Sequence, residues 1–141
     1  MKMPLYQGRI LSFKKEILII TRNLHMNELN IGTDIVEINR FRCKSLKSNK
    51  TFYNSIFTKS ELRYCLKYSD PYPHLAGIFA AKESIMKCSN HLLRMQEIEI
   101  IRGNNRKPMA LIRYKKKTIN AKISISHTEY LAIAVAIMPL D

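Results

Sequence analysis

The chain has 141 residues, of which 46% are hydrophobic, and this is the size and composition of one folded domain rather than of a disordered chain. Its 24 lysines and arginines outnumber 11 aspartates and glutamates, giving a formal net charge of +13. This charge indicates a negatively charged partner, whether nucleic acid, anionic membrane, nucleotide or acidic protein, and does not choose among them. The longest apolar run near the N-terminus, residues 17–20, is too short for a signal peptide or a membrane span.

The three cysteines, Cys43, Cys65 and Cys88, give no disulfide framework, because their number is odd and no pair has Cys-x-x-Cys spacing. No pair of histidines stands near them at zinc-binding spacing. We therefore expect reduced, mostly buried thiols in a cytosol-like compartment.

The N-terminal segment differs in character from the rest of the chain. Residues 1–25 form a basic leader of unknown role, and Met26 opens the segment directly before the first convincing strand. We therefore divide the chain into the leader and a folded domain of residues 26–141, and we expect the leader to be dispensable.

The first predicted strand covers residues 31–38 and is rich in β-branched residues. Alternation places one set of side chains on a common face, Gly32, Asp34, Val36 and Ile38. An acidic residue among branched aliphatic ones is disfavoured in a strand. Asp34 is therefore either an ordinary edge carboxylate or a functional residue.

Two helices are predicted in the middle of the chain. Thr58 fits an N-cap, and Glu61 completes a capping box that opens a short helix ending at about Tyr68. Residues 70–73, Asp-Pro-Tyr-Pro, interrupt the chain. A second, longer helix is predicted over residues 74–91, with an apolar stripe at helical spacing.

The C-terminal third reads as antiparallel sheet, with strand candidates at 97–102, 109–114, 121–126 and 130–138. In the last of these, Ala132, Ala134 and Ala136 share one face, which suits close packing against a helix. The predicted fold is a single α+β domain, an antiparallel sheet packed on one long helix with shorter helices.

The long helix carries three charged residues of interest. Lys82 falls in the middle of the apolar stripe, where an ammonium is costly unless it has a fixed partner, so we expect it to be buried against a carboxylate or a carbonyl. Glu83 lies at the border of the stripe, with Lys87 four residues later. That pair is either a solvated ion pair or part of a site.

Asp34 and Glu83 together could bind Mg²⁺, which prefers one or two carboxylates completed by water and substrate phosphates. Lys87 would then meet a phosphate oxygen, and such an arrangement suits transfer of a phosphate-linked group. The two acidic residues are 49 positions apart, so spacing alone does not bring them together.

Several segments resemble the holo-acyl-carrier-protein synthases of the 4'-phosphopantetheinyl transferase superfamily, in the family's order and approximate spacing. The resemblance extends from about Ile31 to Met138. Its segments are GTDIVEINRF (32–41), FTKSELRYC (57–65), LAGIFAAKESIMK (75–87), the turn at 105–108 and ISISHTEYLAIAV (123–135).

This resemblance implies a phosphopantetheinyl-transferase-like fold and Mg²⁺-dependent transfer of 4'-phosphopantetheine from coenzyme A to a serine of an acidic apo acyl carrier protein. Asp34 and Glu83 correspond to the magnesium ligands. Glu83, directly or through a water on the metal, corresponds to the residue that takes the serine proton. Lys87 corresponds to the lysine that contacts the phosphates and protonates the leaving group.

Two further sets of residues follow from the resemblance. Segments that hold the adenosine 3'-phosphate end correspond to Asn105, Lys107, Pro108, Ser126 and His127. Arg40 corresponds to a basic residue that docks the carrier, and we expect its neighbours Arg42 and Lys44 to meet the carrier too. The family further implies cytoplasmic homotrimers, active in fatty acid biosynthesis, whose active sites are shared between subunits.

The chain departs from the family pattern at two positions. Ile78 stands where the family usually has arginine, which removes a cation from the long helix, and Arg106 stands where the family usually has glycine. Two other interpretations remain open. One is a basic nucleic-acid-binding module, supported by the net charge and by runs such as residues 113–117, although no nucleic-acid recognition motif is present. The other is a degenerate homologue that binds coenzyme A without turnover.

Overall fold

The computed structural model of the protein describes residues 29–139. Segments with alternating apolar residues form its strands, and segments with apolar residues at helical spacing form its helices. The leader, residues 1–25, and the domain boundary at Met26 lie outside the described residues. The elements in chain order are β1 (Leu29–Glu37), α1 (Asn39–Arg42), α2 (Lys50–Ile56), α3 (Lys59–Cys65), α4 (Tyr72–Cys88), a 3-10 turn (Met95–Glu97), β2 (Ile98–Arg102), β3 (Pro108–Tyr114), β4 (Lys117–His127) and β5 (Leu131–Pro139).

The five strands form one antiparallel sheet in the order β1-β5-β4-β3-β2, and α4 packs across β1, β5 and β4. On β5 the face with Ala132, Ala134 and Ala136 is fully buried, as the alternation predicts. Gly77 of α4 comes equally close to the sheet, since a Cβ there would lie 2.9 Å from Cγ2 of Ile125. The predicted α+β architecture, with one long helix on an antiparallel sheet, is confirmed.

Element boundaries differ from the predicted ones where local backbone geometry decides them. Helix α4 begins at Tyr72 because Pro73 is tolerated in a first turn, where its missing N–H is not needed, and it ends at Cys88. Strand β4 begins at Lys117 rather than at residue 121. Lys115 adopts a left-handed φ of 53°, and this tight turn lets the lysine-rich segment pair with β3.

Helices α1 and α2, which the sequence did not predict, hold the basic segment of residues 40–50 over an aromatic part of the core. Tyr53 of α2 is fully buried, and its hydroxyl donates to the carbonyl oxygen of Lys44 at 2.7 Å and lies 3.1 Å from that of Phe41. Burial raises the pKa of Tyr53 to about 12, so the hydroxyl remains a donor.

Lys82 is fully buried, which confirms the expectation from its place in the apolar stripe. Its Nζ lies 2.8 Å from Oε2 of Glu61 and donates to the carbonyl oxygens of Ile56 at 2.7 Å and Met95 at 3.0 Å. Burial lowers the pKa of Lys82, and the charge of Glu61 opposes that shift. The ammonium is thus fully coordinated by oxygen atoms inside the core.

Glu61, the acidic partner of Lys82, also accepts hydrogen bonds from the backbone. It accepts hydrogen bonds from the backbone N–H of Thr58 at 2.8 Å, in the predicted capping box, and of Ile100 at 2.7 Å. One carboxylate therefore joins the start of α3, strand β2 and, through Lys82, the middle of α4.

All three cysteines are free, and Cys65 and Cys88 are buried while Cys43 is exposed. Burial raises the pKa of Cys65 to about 12, which keeps this thiol protonated and unreactive. Across residues 29–139, no helix has the length and apolar character needed to cross a membrane.

We predict that Lys82→Ala lowers the free energy of unfolding by about 3–5 kcal/mol, because it leaves the Glu61 carboxylate buried without its cation. The matched control is Lys116→Ala on the exposed β3–β4 turn, which should cost under about 0.5 kcal/mol. Urea unfolding followed by circular dichroism measures both. Equal unfolding midpoints for the two variants would contradict a stabilising role of the buried pair.

Candidate active site

Strand β1 and helix α4 approach each other closely at Gly32. A Cβ at this position would lie 1.9 Å from the carbonyl oxygen of Ser84 and 3.0 Å from Cβ of Cys88. Only glycine permits this approach, and the inward alternation of β1 then directs Asp34 toward the last turns of α4.

Asp34 and Lys87 form an ion pair between strand and helix. Lys87 Nζ lies 2.7 Å from Oδ1 of Asp34 and donates to the carbonyl oxygen of Thr33 at 3.1 Å. The Asp34 side chain is 14% exposed and that of Lys87 is 52% exposed. The carboxylate is therefore held in place by the fold, whereas the ammonium is reachable from solvent.

Glu83 lies one helical turn before Lys87 and is partly buried. The hydrogen bond to Asp34 raises the pKa of Lys87, and the charge of Glu83 adds to this effect. Lys87 thus stays protonated at neutral pH, in contact with Asp34 and within range of the charge of Glu83. The structure brings these three predicted site residues to one place, which sequence spacing could not establish.

The chemistry of these groups suits a hard divalent cation, because carboxylate oxygens are the ligands that Mg²⁺ prefers. Within residues 29–139, no three histidine, cysteine or acidic side chains gather into a metal-binding group. Two carboxylates alone leave most of an octahedral shell to water and to substrate phosphate oxygens, and this is the usual composition of a magnesium site on a phosphate-bearing substrate.

A second cluster lies at the other end of α4, around a cleft of about 240 Å³. Its lining combines cationic or titratable groups with apolar ones, among them His74, Ile78, Arg102, Arg106, Pro108 and His127. The guanidinium carbon of Arg102 lies 3.8 Å from the ring centroid of Tyr64, which fixes its position. A cleft with this lining suits an anionic ligand with an apolar ring.

The predicted nucleotide-binding residues occupy different places around this cleft. His127 and Pro108 line it, while Asn105 shapes the adjoining turn by accepting the backbone N–H of Lys107 at 3.1 Å. Lys107 is exposed beside the cleft. Ser126 pairs with Ile133 of β5, so its side chain lies on the opposite face of the sheet from His127.

The two departures from the family pattern lie at the same cleft. Ile78 is buried and contributes an apolar wall. Arg106 has a φ of 60°, in the left-handed region where glycine is the favoured residue. The arginine therefore adopts a backbone conformation of the kind that glycine prefers, and it adds a cation to the lining.

The predicted carrier-binding residues separate into two groups. Arg40 and Lys44 border a groove of about 360 Å³ with an aromatic lining, and their cationic groups lie 5.8 Å and 4.2 Å from the ring centroids of Phe79 and Phe52. Arg42 points elsewhere and forms a 2.5 Å ion pair with Asp70. Two of the three basic residues thus share one surface.

Sequence reasoning missed several residues of these surfaces. No sequence pattern indicated His74 or Arg102 as a site residue, because His74 follows a proline-rich break and Arg102 ends a strand. Phe79 lies in the apolar stripe of the long helix, which is typical of a core residue, and Phe52 lies in a segment without periodicity. The helical spacing of His74 and Ile78, four residues apart, is the one pattern that places them on a common face.

Comparison with known proteins identifies relatives of one kind. The sequence model of the 4'-phosphopantetheinyl transferase superfamily matches residues 30–136. Holo-[acyl-carrier-protein] synthase of Caldanaerobacter subterraneus subsp. tengcongensis is 41% identical over 120 residues, which cover 78% of this chain and 94% of the relative.

Two solved structures extend this similarity to the fold. Holo-[acyl-carrier-protein] synthase from Neisseria meningitidis superposes with a TM-score of 0.67 at 25% identity, covering 79% of this chain and 98% of that one. The enzyme from Helicobacter pylori, in complex with coenzyme A, superposes with a TM-score of 0.62 at 29% identity, covering 75% and 96%.

Proposed function

The chain belongs to the 4'-phosphopantetheinyl transferase superfamily, and from this membership we propose that it is a holo-acyl-carrier-protein synthase with its transferase domain in residues 26–141. The serine hydroxyl of an apo carrier attacks the β-phosphorus of coenzyme A. A new phosphorus–oxygen bond forms to serine, the bond to the bridging oxygen breaks, and adenosine 3',5'-bisphosphate leaves.

The observation that carries this proposal is the meeting of Asp34, Glu83 and Lys87. Lys87 is protonated and half exposed, so its ammonium can leave Asp34 for a phosphate oxygen and can protonate the leaving group. Glu83 supplies a carboxylate that accepts the serine proton. Glu83 and Lys87, one turn apart on α4, thus accept the serine proton and neutralise the phosphate charge.

Asp34 and Glu83 are the residues that would hold Mg²⁺. When bound, the metal would neutralise the diphosphate and align it for attack. Asp34 is held for this role because β1 is fixed against α4 at Gly32.

The cationic cleft at the start of α4 is the proposed site of the nucleotide end of coenzyme A. Arg102, Arg106 and His127 supply positive or titratable groups, and Asn105 and Lys107 shape and extend the adjoining turn. Because its side chain faces the other way, Ser126 would contribute through its main chain.

We propose that one active site uses two copies of the chain, because the two clusters lie far apart on α4. His74 and Lys87 are thirteen residues apart on α4, which at 1.5 Å per residue is about 20 Å. In coenzyme A, a single ribose joins the diphosphate to the 3'-phosphate. This separation supports a site in which the carboxylate cluster of one chain and the cationic cleft of a second chain bind the same coenzyme A molecule.

The outer face of β1 and β5 offers the surface for such an assembly. It exposes large apolar side chains, including Ile31 at 69%, Ile35 at 60% and Ile133 at 42% exposure. A continuous apolar patch of this kind marks a protein contact. A head-to-tail contact that closes into a ring would bring the two different clusters together at every interface, and we propose the homotrimer that the family resemblance implies.

Carrier protein would dock at the groove between Arg40 and Lys44, whereas Arg42 points away from this groove and pairs with Asp70. An acidic carrier suits these cations, and apolar carrier side chains suit Phe52 and Phe79. The net charge of +13 then has two partners, a nucleotide with several phosphates and an acidic protein. With its free thiols, the enzyme would act in the cytoplasm, in fatty acid biosynthesis.

We predict that Asp34→Ala and Glu83→Ala each reduce transfer by more than a hundredfold while the protein stays folded, and that Glu83→Gln is nearly as damaging. The reason is loss of metal charge neutralisation and, for Glu83, of the base. Mass spectrometry of an apo carrier incubated with enzyme, coenzyme A and Mg²⁺ measures the added phosphopantetheine. Activity within a few-fold of the parent, or transfer that survives EDTA, would refute the metal assignment.

We predict that two inactive variants restore activity when they assemble together. Asp34→Ala removes the carboxylate cluster and His127→Glu repels the nucleotide phosphate, so each mixed trimer keeps one site with both parts intact, which is about a quarter of all sites for random mixing. Co-expression with two tags and transfer assays measure this. If sedimentation confirms that rings form and the mixed rings recover no transfer activity, each active site lies within one chain.

We predict that Arg40→Glu raises the KM for carrier and flattens its salt dependence, with little change in the KM for coenzyme A, as expected of a charge that governs encounter. Lys87→Ala should instead lower kcat, because a transition-state phosphate contact is lost. Steady-state kinetics at two salt concentrations distinguish them, with Lys116→Glu as the charge-matched control. Equal effects of Arg40→Glu on both substrates would exclude carrier docking.

A further inference from the structure

His74 lies in an aromatic and cationic cluster at the first turn of α4. Its ring stacks on that of Tyr68, with centroids 3.6 Å apart. It contacts the rings of Tyr64 and His127 edge to face, at 6.0 Å and 5.7 Å. Because α4, the segment before it and the end of β4 all contribute to this cluster, the imidazole has a fixed position on the wall of the cleft.

Charged and titratable groups approach His74 from every neighbouring element, and cations outnumber anions. They are Tyr64 on α3, Tyr68 and Asp70 before α4, Arg102 at the end of β2, Arg106 in the following turn and His127 at the end of β4. Burial lowers the pKa of His74, His127 and Arg102 lower it further, and Asp70 opposes them. The free protein therefore holds a neutral imidazole at neutral pH.

We propose that His74 is a proton-linked ligand of the 3'-phosphate of coenzyme A, taking up a proton as that phosphate enters the cleft. This inference rests on the proposed function, since it names a residue that binds the nucleotide of that reaction. A phosphate monoester carries a charge of roughly −1.5 to −2 at neutral pH, and together with Asp70 it exceeds the positive charge of Arg102 and Arg106. The imidazolium then gains a charge-assisted hydrogen bond that the neutral ring lacks.

The direction of the pH dependence follows from this uptake. The pKa of His74 is higher in the complex than in the free protein, where it lies below 6.5. The contribution of His74 to binding is therefore complete below the free-protein pKa and is lost as the pH rises through the pKa in the complex. The phosphate itself releases protons on binding to cations, so the contribution of His74 is measured as a difference between variants.

The experiment is isothermal titration calorimetry of the full chain with coenzyme A, at neutral pH, in two buffers of different ionisation enthalpy. His74→Phe retains the stacking on Tyr68 and removes the titrating group. The matched control is His91→Phe, beyond the opposite end of α4, where the histidine stacks on Tyr114. Dephospho-coenzyme A, which lacks the 3'-phosphate, is the ligand control.

We expect the parent and His91→Phe to take up several tenths of a proton more than His74→Phe on binding coenzyme A, and to show no such difference with dephospho-coenzyme A. The affinity advantage of the parent over His74→Phe should fall from about tenfold at mildly acidic pH to almost none at alkaline pH. His74→Gln, which retains a polar group, should lose the proton uptake in the same way.

Equal proton uptake by the parent, His74→Phe and His74→Gln would overturn the inference. Transfer to an apo carrier by the same preparations separates this outcome from a failure of the proposed function. If the parent modifies the carrier while proton uptake is unchanged by both substitutions, only the role of His74 is wrong. If the parent neither binds coenzyme A nor modifies the carrier, the proposed function fails and the role of His74 fails with it.

Discussion

Close packing of α4 against β1 and β5 brings the candidate catalytic groups together. Small residues make it possible, because alanines alternate along the inner face of β5 and Gly32 of β1 touches the backbone of α4. Asp34 then reaches Lys87 across 53 positions of sequence. A side chain at position 32 would separate strand from helix, and the carboxylate would move with the strand.

The buried pair of Glu61 and Lys82 has a corresponding effect at the other end of α4. Glu61 binds the backbone of Ile100 in β2, two residues before Arg102, and it belongs to the same helix as Tyr64. Fixing α3 to β2 and α4 therefore also fixes the stacking of Arg102 on Tyr64 at the rim of the cleft. An ion pair with no exposure to solvent thus positions a cation that is available to a ligand.

Local patterns in the sequence predicted the features that depend on local physics. The capping box, the alanine face of β5 and the burial of Lys82 all follow from spacing within one element. Helices α1 and α2 could not be predicted in this way, because they are too short to show periodicity.

The predicted site residues show the same limit in another form. The resemblance grouped Ser126 with His127, whereas strand alternation places their side chains on opposite faces once the extent of β4 is known. Positions 40 and 42 likewise differ by about 200° around a helix, which explains why Arg40 borders the aromatic groove while Arg42 pairs with Asp70. The joining of Asp34 to Lys87 and the approach of His74 to His127 depend on tertiary packing, which no single-element pattern contains.

On the proposed assembly, the exposed apolar face of β1 and β5 has a consequence for the newly synthesised chain. Within residues 29–139, strand β1 is the edge of the sheet, so this part of an isolated chain presents both an apolar patch and a strand edge, which favour irregular association. Rapid assembly with other copies of the chain would cover both the apolar patch and the strand edge. Stability and activity then share one dependence on cellular abundance, since dilution that frees the face also separates the two halves of each active site.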